Sequence, residues 1–349
     1  MFGIGLALAT RYSPPSHSCS QPLVAVILVA RHSFNATTHH TCLKLCAMSK
    51  QSRRATRNFP TAQQDAHAGS TKPLSRYEGP ESSYRLAFTD TDFLLREEMR
   101  PVRMQLELLK PEMVQDEQGI ESTIVIFGSA RVVPRDVARR LLDDARSANN
   151  ATALALAEQH MAMAHYYEEA RRFAALVTQK SAQLATPIYV VTGGGPGIME
   201  AGNRGAFEAG GKSIGLNIVL QHEQAPNPYI TPELCFQFHY FGLRKMHFLM
   251  RSVALVCFPG GFGTLDEMFE ALTLIQTGKS RRRPVLLFGR EFWTRLINFE
   301  LLVETGMISA LDLQLFRFVE TAEEAWSHLE AEVGFELRES DKDLPAADL

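Results

Sequence analysis

The 349-residue sequence is short of cysteine and tryptophan, with five of the first and two of the second. Cys19, Cys42 and Cys46 lie near the amino terminus, and Cys235 and Cys257 sit in apolar runs. No spacing among them suits zinc, and a secreted disulfide framework uses cysteine more densely. Free thiols in a reducing, cytoplasmic setting are the expectation. His239 and His247 lack a third partner, so no metal is expected. Long apolar runs are also missing. Residues 23–30 are apolar, but a bilayer span needs about 20 such residues. Acid is nearly absent from residues 1–77, which carry nine Lys and Arg against Asp65 alone. That stretch sums to +8 and the remainder to −11 of a net −3. A mildly acidic body argues against a nucleic-acid partner and for a small ligand.

The amino-terminal stretch lacks the basic start of a secretory signal. Its composition suits a disordered extension over residues 1–80, whether it is an organellar transit peptide or lies ahead of a true start at Met48. From Thr89 the pattern turns helical, and Pro101 should kink or split that helix. "STIVIFGSAR" predicts a buried strand at 123–127. Residues 151–184 predict one long helix, apolar on most faces and therefore buried or used in subunit pairing. Strand, glycine turn and helix follow in "PIYVVTGGGPGIMEAGNRGAFEAGG" and again in "VALVCFPGGFGTLDEMFEALTLIQTG". "KSIGLNIVL", "LCFQFH" and "RPVLLFG" predict further strands. "EFWTRLINFELLVETG" predicts a helix stopped by Gly306, and "KSRRRP" a solvated loop.

Strands without period-2 alternation, separated by helices, indicate a parallel sheet covered on both faces. The fold class expected is α/β: a Rossmann-like doubly wound sheet over residues 85–335, after the disordered tail and before an acidic tail at 336–349. Ligands of such sheets bind beyond the carboxyl ends of the strands. The three glycine turns, at Gly128, at 193–197 and at 260–263, all belong to that edge.

Gly193, Gly194 and Gly195 permit a tight turn with outward N–H groups, before a helix expected to begin near Pro196 and Gly197. This is neither a dinucleotide fingerprint nor a Walker A loop. In "PGGFGT", Gly260 and Gly261 turn, and Gly263 and Thr264 open the next helix, with Thr264 as cap or phosphate ligand. Asp266 and Glu267 follow in what should be the first helical turn. The helix dipole accounts for Asp266. It accounts poorly for Glu267 if an anion already occupies the helix start.

These residues resemble the LONELY GUY (LOG) family of cytokinin riboside 5'-monophosphate phosphoribohydrolases and the broader bacterial nucleotide 5'-monophosphate nucleosidases. "GGGPGIMEA" and "RKMHFLMRSVALVCFPGGFGTLDE" carry the resemblance, which covers roughly residues 120–330. It implies a Rossmann-like homodimer or higher homo-oligomer, without a cofactor, that cleaves base from ribose 5-phosphate. The implied catalytic pair falls on Arg244 and Glu267. The implied substrate contacts fall on Gly193, Gly194, Gly195, Lys245, Gly260, Gly261, Gly263 and Thr264. Gly128, Ser129 and Glu200 are further candidates. Relatives labelled lysine decarboxylase would need a Schiff-base lysine, which this constellation does not offer. Glu200 in "GIMEA" and the first turn "FGSAR" depart from the plant pattern and match the larger bacterial branch, which leaves the preferred base open.

Cleavage of a nucleoside 5'-monophosphate passes through an oxocarbenium-like ribose. Glu267 would stabilise that charge and activate water, Arg244 would clamp phosphate or assist the departing base, and Glu200 would touch the ribose hydroxyls. AMP is the simplest substrate of this kind, and N6-modified adenine nucleotides are a variant of it. A non-catalytic nucleotide-sensing module would use the same glycine turns but has no use for Glu267.

Overall fold

The computed structural model describes residues 59–70, 77, 82–220 and 225–338. Most of the expected amino-terminal extension and the end of the acidic tail lie outside these. The chain divides into two compact units, Met1–Leu86 and Ala87–Leu349. In the first, helix α1 (Ala62–Ser70) occupies a stretch expected to be disordered. A reciprocal cap starts it: Thr61 N–H donates to Gln64 Oε1, and Gln64 N–H donates to Thr61 Oγ1.

The second unit begins with α2 (Thr91–Leu94), a 3₁₀ turn and α3 (Arg100–Glu117). The helical stretch is split ahead of Pro101, as expected, rather than kinked at it. Pro101 occupies the first turn of α3, where its missing N–H removes no hydrogen bond. The order then runs β1 (Ser122–Phe127), α4 (Arg135–Ser147), α5 (Ala151–Ser181), β2 (Ile188–Thr192), α6 (Ile198–Glu208) and β3 (Ser213–Ile218). It continues with β4 (Cys235–Phe238), α7 (Phe241–Met250), β5 (Ser252–Cys257), α8 (Phe262–Gln276) and β6 (Val285–Phe288). Last come α9 (Arg290–Leu296), α10 (Phe299–Glu304), β7 (Arg317–Val319) and α11 (Ala322–Val333). The single helix expected after β6 is therefore two. Ile297 is extended, and the Asn298 side chain caps α10 by accepting from Leu301 N–H.

All seven strands are parallel, in the order β4-β3-β2-β1-β5-β6-β7. Successive strand residues feed opposite cores. Ile124, Ile126, Val190 and Val256 pack with Tyr167 and Phe173 of α5, Ile198 of α6 and Trp326 of α11. Val125, Phe127, Val191 and Leu255 pack with Phe248 of α7, Met268 of α8, Trp293 of α9 and Phe299 of α10. Burial on both faces is why the strands lack alternation. The long α5 packs one face against α4, α6 and α11.

The order reverses between β1 and β5, and the crevice beyond that switch point is where such sheets hold ligands. Ser129 stitches the loops there: its N–H donates to Pro259 O at 3.0 Å, and its carbonyl accepts from Ile198 N–H at 3.1 Å. Gly197 makes this approach possible. Its φ is +71°, and a Cβ there would run into the Ser129 carbonyl oxygen. At Gly263 a Cβ would meet nothing within 4 Å. In urea unfolding, Gly197→Ala should lose about 2 kcal/mol or more, whereas Gly263→Ala, inside α8, should be neutral or slightly stabilising.

Candidate functional site

Beyond the carboxyl ends of β1, β2 and β5 lies a cavity of about 670 Å³. Gly128, Ser129, Gly193, Gly260, Gly261, Gly263, Thr264, Arg244 and Glu267 all line it. Residues 139 positions apart in sequence, Gly128 and Glu267, thus share one opening. Gly194, Gly195, Glu200 and Lys245 do not line it.

Helix α8 starts earlier than the sequence suggested, with Gly261 rather than Thr264 as N-cap and no side-chain cap. Thr264 is therefore the third helical residue rather than the cap. Its side chain is buried and folds back over Gly260, where any Cβ would collide with it. The first intrahelical bond is Leu265 N–H to Gly261 O at 3.0 Å. The N–H groups of Phe262, Gly263 and Thr264 are consequently without intrahelical acceptors, at the positive end of the helix dipole. Open space at Gly261 and Gly263 lets an anion reach them.

Asp266 and Glu267 fall in the second turn of α8, not the first. Helical side chains lean back toward the amino terminus, so Glu267 shares a face with Gly263 and Thr264. It is only 7% exposed. Burial pushes its pKa up to about 7, with repulsion from Glu270 and Asp266 adding to the rise and Lys245 and Arg244 opposing it. Lys245 Nζ lies 2.7 Å from Asp266 and 3.1 Å from Glu270. Burial works to lower its pKa, but those two carboxylates hold it above the usual lysine range.

Arg244, on α7, crosses under the first glycine turn. Its Nε donates to Leu216 O at 2.7 Å, its Nη2 to Gly193 O at 3.5 Å, and its guanidinium lies 5.0 Å from the Phe248 ring centre. A Cβ on Gly193 would come within 2.6 Å of Nη2, so glycine here makes room for the arginine. Gly194, at φ +75°, makes room for Asn217. Helix α6 begins at Ile198 with Gly197 as its cap, slightly later than expected. Glu200 points at α5, where Tyr167 Oη donates to its Oε1 at 2.7 Å.

Residues that the sequence pattern does not single out hold the first turn in place: buried Thr192, Asn203, Asn217 and Asn227. Asn227 Nδ2 donates to Gly194 O at 3.1 Å, to Gly195 O at 3.0 Å and to Asn203 Oδ1 at 2.9 Å. An asparagine next to a Pro-rich loop is a usable signal only once its partners are known. His247 is likewise structural, with its ring beside Phe238 and its Nε2 3.2 Å from Glu107 O. Among the described residues, no group of three or more His, Cys, Asp or Glu could hold a metal. Nor is any helix among them long and apolar enough to cross a membrane.

A carboxyl whose pKa is higher folded than unfolded binds its proton more tightly in the folded chain. Its ionisation therefore costs stability as pH rises from 4.5 to about 7. Glu267→Gln removes that cost. Its Tm, by calorimetry, should match wild type at pH 4.5 and exceed it by roughly 5 °C at pH 8.5.

A family model described as "Possible lysine decarboxylase" matches residues 199–329. The chain is 28% identical over 164 residues to a probable cytokinin riboside 5'-monophosphate phosphoribohydrolase of Oryza sativa subsp. japonica, covering 44% of this chain and 74% of that one. It is 34% identical over 88 residues to a cytokinin riboside 5'-monophosphate phosphoribohydrolase of Arabidopsis thaliana, covering 25% and 41%. The chain thus spans less than half the length of the Arabidopsis relative. A molybdenum cofactor binding protein from Rippkaea orientalis aligns at 16% identity and TM-score 0.40, over 60% of this chain and 96% of that one. The decarboxylase description finds no support in the cavity. Among the described residues no lysine lines it, and Lys245 is held as an ammonium by two carboxylates, whereas a Schiff base to pyridoxal phosphate forms from a neutral amine. The chain is thus similar to phosphoribohydrolases of the LONELY GUY family, and both of its glycine motifs, Arg244 and Glu267, meet at one cavity.

Proposed function

We propose that this protein hydrolyses the N-glycosidic bond of nucleoside 5'-monophosphates, releasing free base and ribose 5-phosphate. One observation carries the proposal: a buried carboxyl, with its pKa raised to about 7, opens on the same cavity as an uncapped helix start.

The 5'-phosphate would sit on the N–H groups of Phe262, Gly263 and Thr264, with the Thr264 hydroxyl beside them. Glu267, one turn further along the same face, would then lie under the ribose. Its ionised form offsets positive charge growing on the anomeric carbon. It also accepts a proton as water attacks that carbon and the glycosidic electron pair leaves with the base. A pKa near the working pH suits this exchange. Arg244, always charged, would hold phosphate or counter the electron density on the departing base. A nucleotide sensor would need the helix start but gains nothing from a carboxyl kept out of water, which costs stability.

On the far side, Ile218, Leu220, Phe241 and Leu296 line the cavity. This apolar wall favours adenine, and N6-alkylated adenine in particular, over polar bases. We further propose a homodimer. Phe262 is 91% exposed, and Phe269 of α8 and Met246 and Met250 of α7 are exposed with it. Such a surface suits a second copy of the chain.

Purified protein given AMP, GMP, CMP and isopentenyl-AMP should release base, with kcat/KM for isopentenyl-AMP at least equal to that for AMP. The value should rise with pH through about 7, as Glu267 loses its proton. Glu267→Gln should bind AMP within a few-fold of wild type and lose turnover by about 10³-fold. No base release from any of the four would refute the hydrolase. Light scattering should give twice the 39.0 kDa chain mass or a higher multiple, and a monomer would refute the dimer.

A further inference from the structure

Thr192 ends β2 and Asn203 lies in the second turn of α6, both without solvent exposure. Asn203 Nδ2 donates to Ser213 Oγ at 3.0 Å and to Ile214 O at 3.3 Å. A backbone carbonyl only accepts, so the amide nitrogen must face it and the amide oxygen must face the other way. On that other side, Oδ1 accepts from Thr192 Oγ1 at 2.6 Å. With its single proton committed there, the Thr192 hydroxyl can serve only as an acceptor for its remaining neighbour. That neighbour is the Gly194 N–H, at 3.0 Å.

The peptide joining Gly193 to Gly194 is planar and trans, so its N–H and C=O point in opposite directions. Pinning the N–H on Thr192 therefore aims the carbonyl away from the sheet. That carbonyl is the Gly193 oxygen that receives Arg244 Nη2. Leu216 O fixes the guanidinium at Nε, and the Gly193 oxygen receives one of the outer nitrogens, Nη2, at 3.5 Å. Asn227 steadies the next peptide, its N–H donating to Gly194 O at 2.9 Å.

We infer that Asn203, acting through the Thr192 hydroxyl, is a positioning residue for Arg244. It sets the direction of one proton, and with it the peptide plane on which the arginine rests. A merely structural cluster would fill the gap between β2 and α6 equally well with any orientation of that proton. The kinetic consequence rests on the hydrolase reading above; the geometric one does not.

The test separates the two. In protein labelled with ¹⁵N-arginine, the Arg244 Nε–H resonance is assigned by its loss in Arg244→Lys. Thr192→Val keeps the volume and branching of the side chain but removes the hydroxyl. It and Asn203→Leu should shift or broaden that resonance, and Thr192→Ser should restore it. In parallel, AMP cleavage is measured for Thr192→Val with and without Arg244→Lys. Alone, Thr192→Val should lower kcat about tenfold with KM within about threefold. In the Arg244→Lys background the loss should shrink below about twofold, because groups acting through one another are not additive. An unmoved resonance in Thr192→Val overturns the inference, as does an equal kcat loss in both backgrounds. Should Asn203→Leu fail to fold, or Arg244→Lys be too slow to assay, the Thr192→Val resonance decides. A resonance that moves as expected in a protein that cleaves no nucleotide would sink the hydrolase reading and leave the positioning intact.

Discussion

The peptide groups of Ser129 are where three loops of this molecule are forced together. One donates to the loop after β5 and the other accepts from the start of α6, so both glycine turns are referenced to the end of β1. Only backbone can come this close. Gly197 lies against the Ser129 carbonyl, and a Cβ on Gly128 would come within 2.6 Å of Ile198. The cavity is a by-product of this contact. Its walls are whatever the three loops present once their backbones have met.

The glycines divide by purpose. Those at 128, 193, 194 and 197 serve internal packing, each against a named neighbour. Those at 261 and 263 face open space and leave helix N–H groups within reach of a ligand. Glu267 stands beside the second kind, and its burial is tolerated because Lys245 and Arg244 lie near enough to oppose the rise in its pKa. A charge kept expensive in the resting protein gains most when a cationic ribose forms next to it.

The sheet was legible because burial on both faces leaves strands as unbroken apolar runs. The convergence of Arg244 and Glu267 was legible because a parallel sheet brings every strand's carboxyl end to one edge. Finer features were not. The start of α8 is hidden because Thr264 has the chemistry of a cap, while glycine takes that role when the threonine folds back over Gly260. The periodicity runs on across Ile297 and Asn298, so the two helices read as one in the sequence. Strand β7 is three residues long at a sheet edge, too short to register as a pattern. The roles of Asn203 and Asn227 depend on partners from β2, β3 and the first glycine turn, which no local window contains.

The seam between β1 and β5 divides the sheet into a four-stranded and a three-stranded half. The first glycine turn belongs to one half and the second to the other, and the backbone of Ser129 spans them. An occupant touching both turns would tie the halves together from outside, as a clasp joins two leaves of a binding. Nucleotide would then slow the parting of the two halves far more than the fraying of either one, and amide exchange along β1 and β5 would feel its presence first.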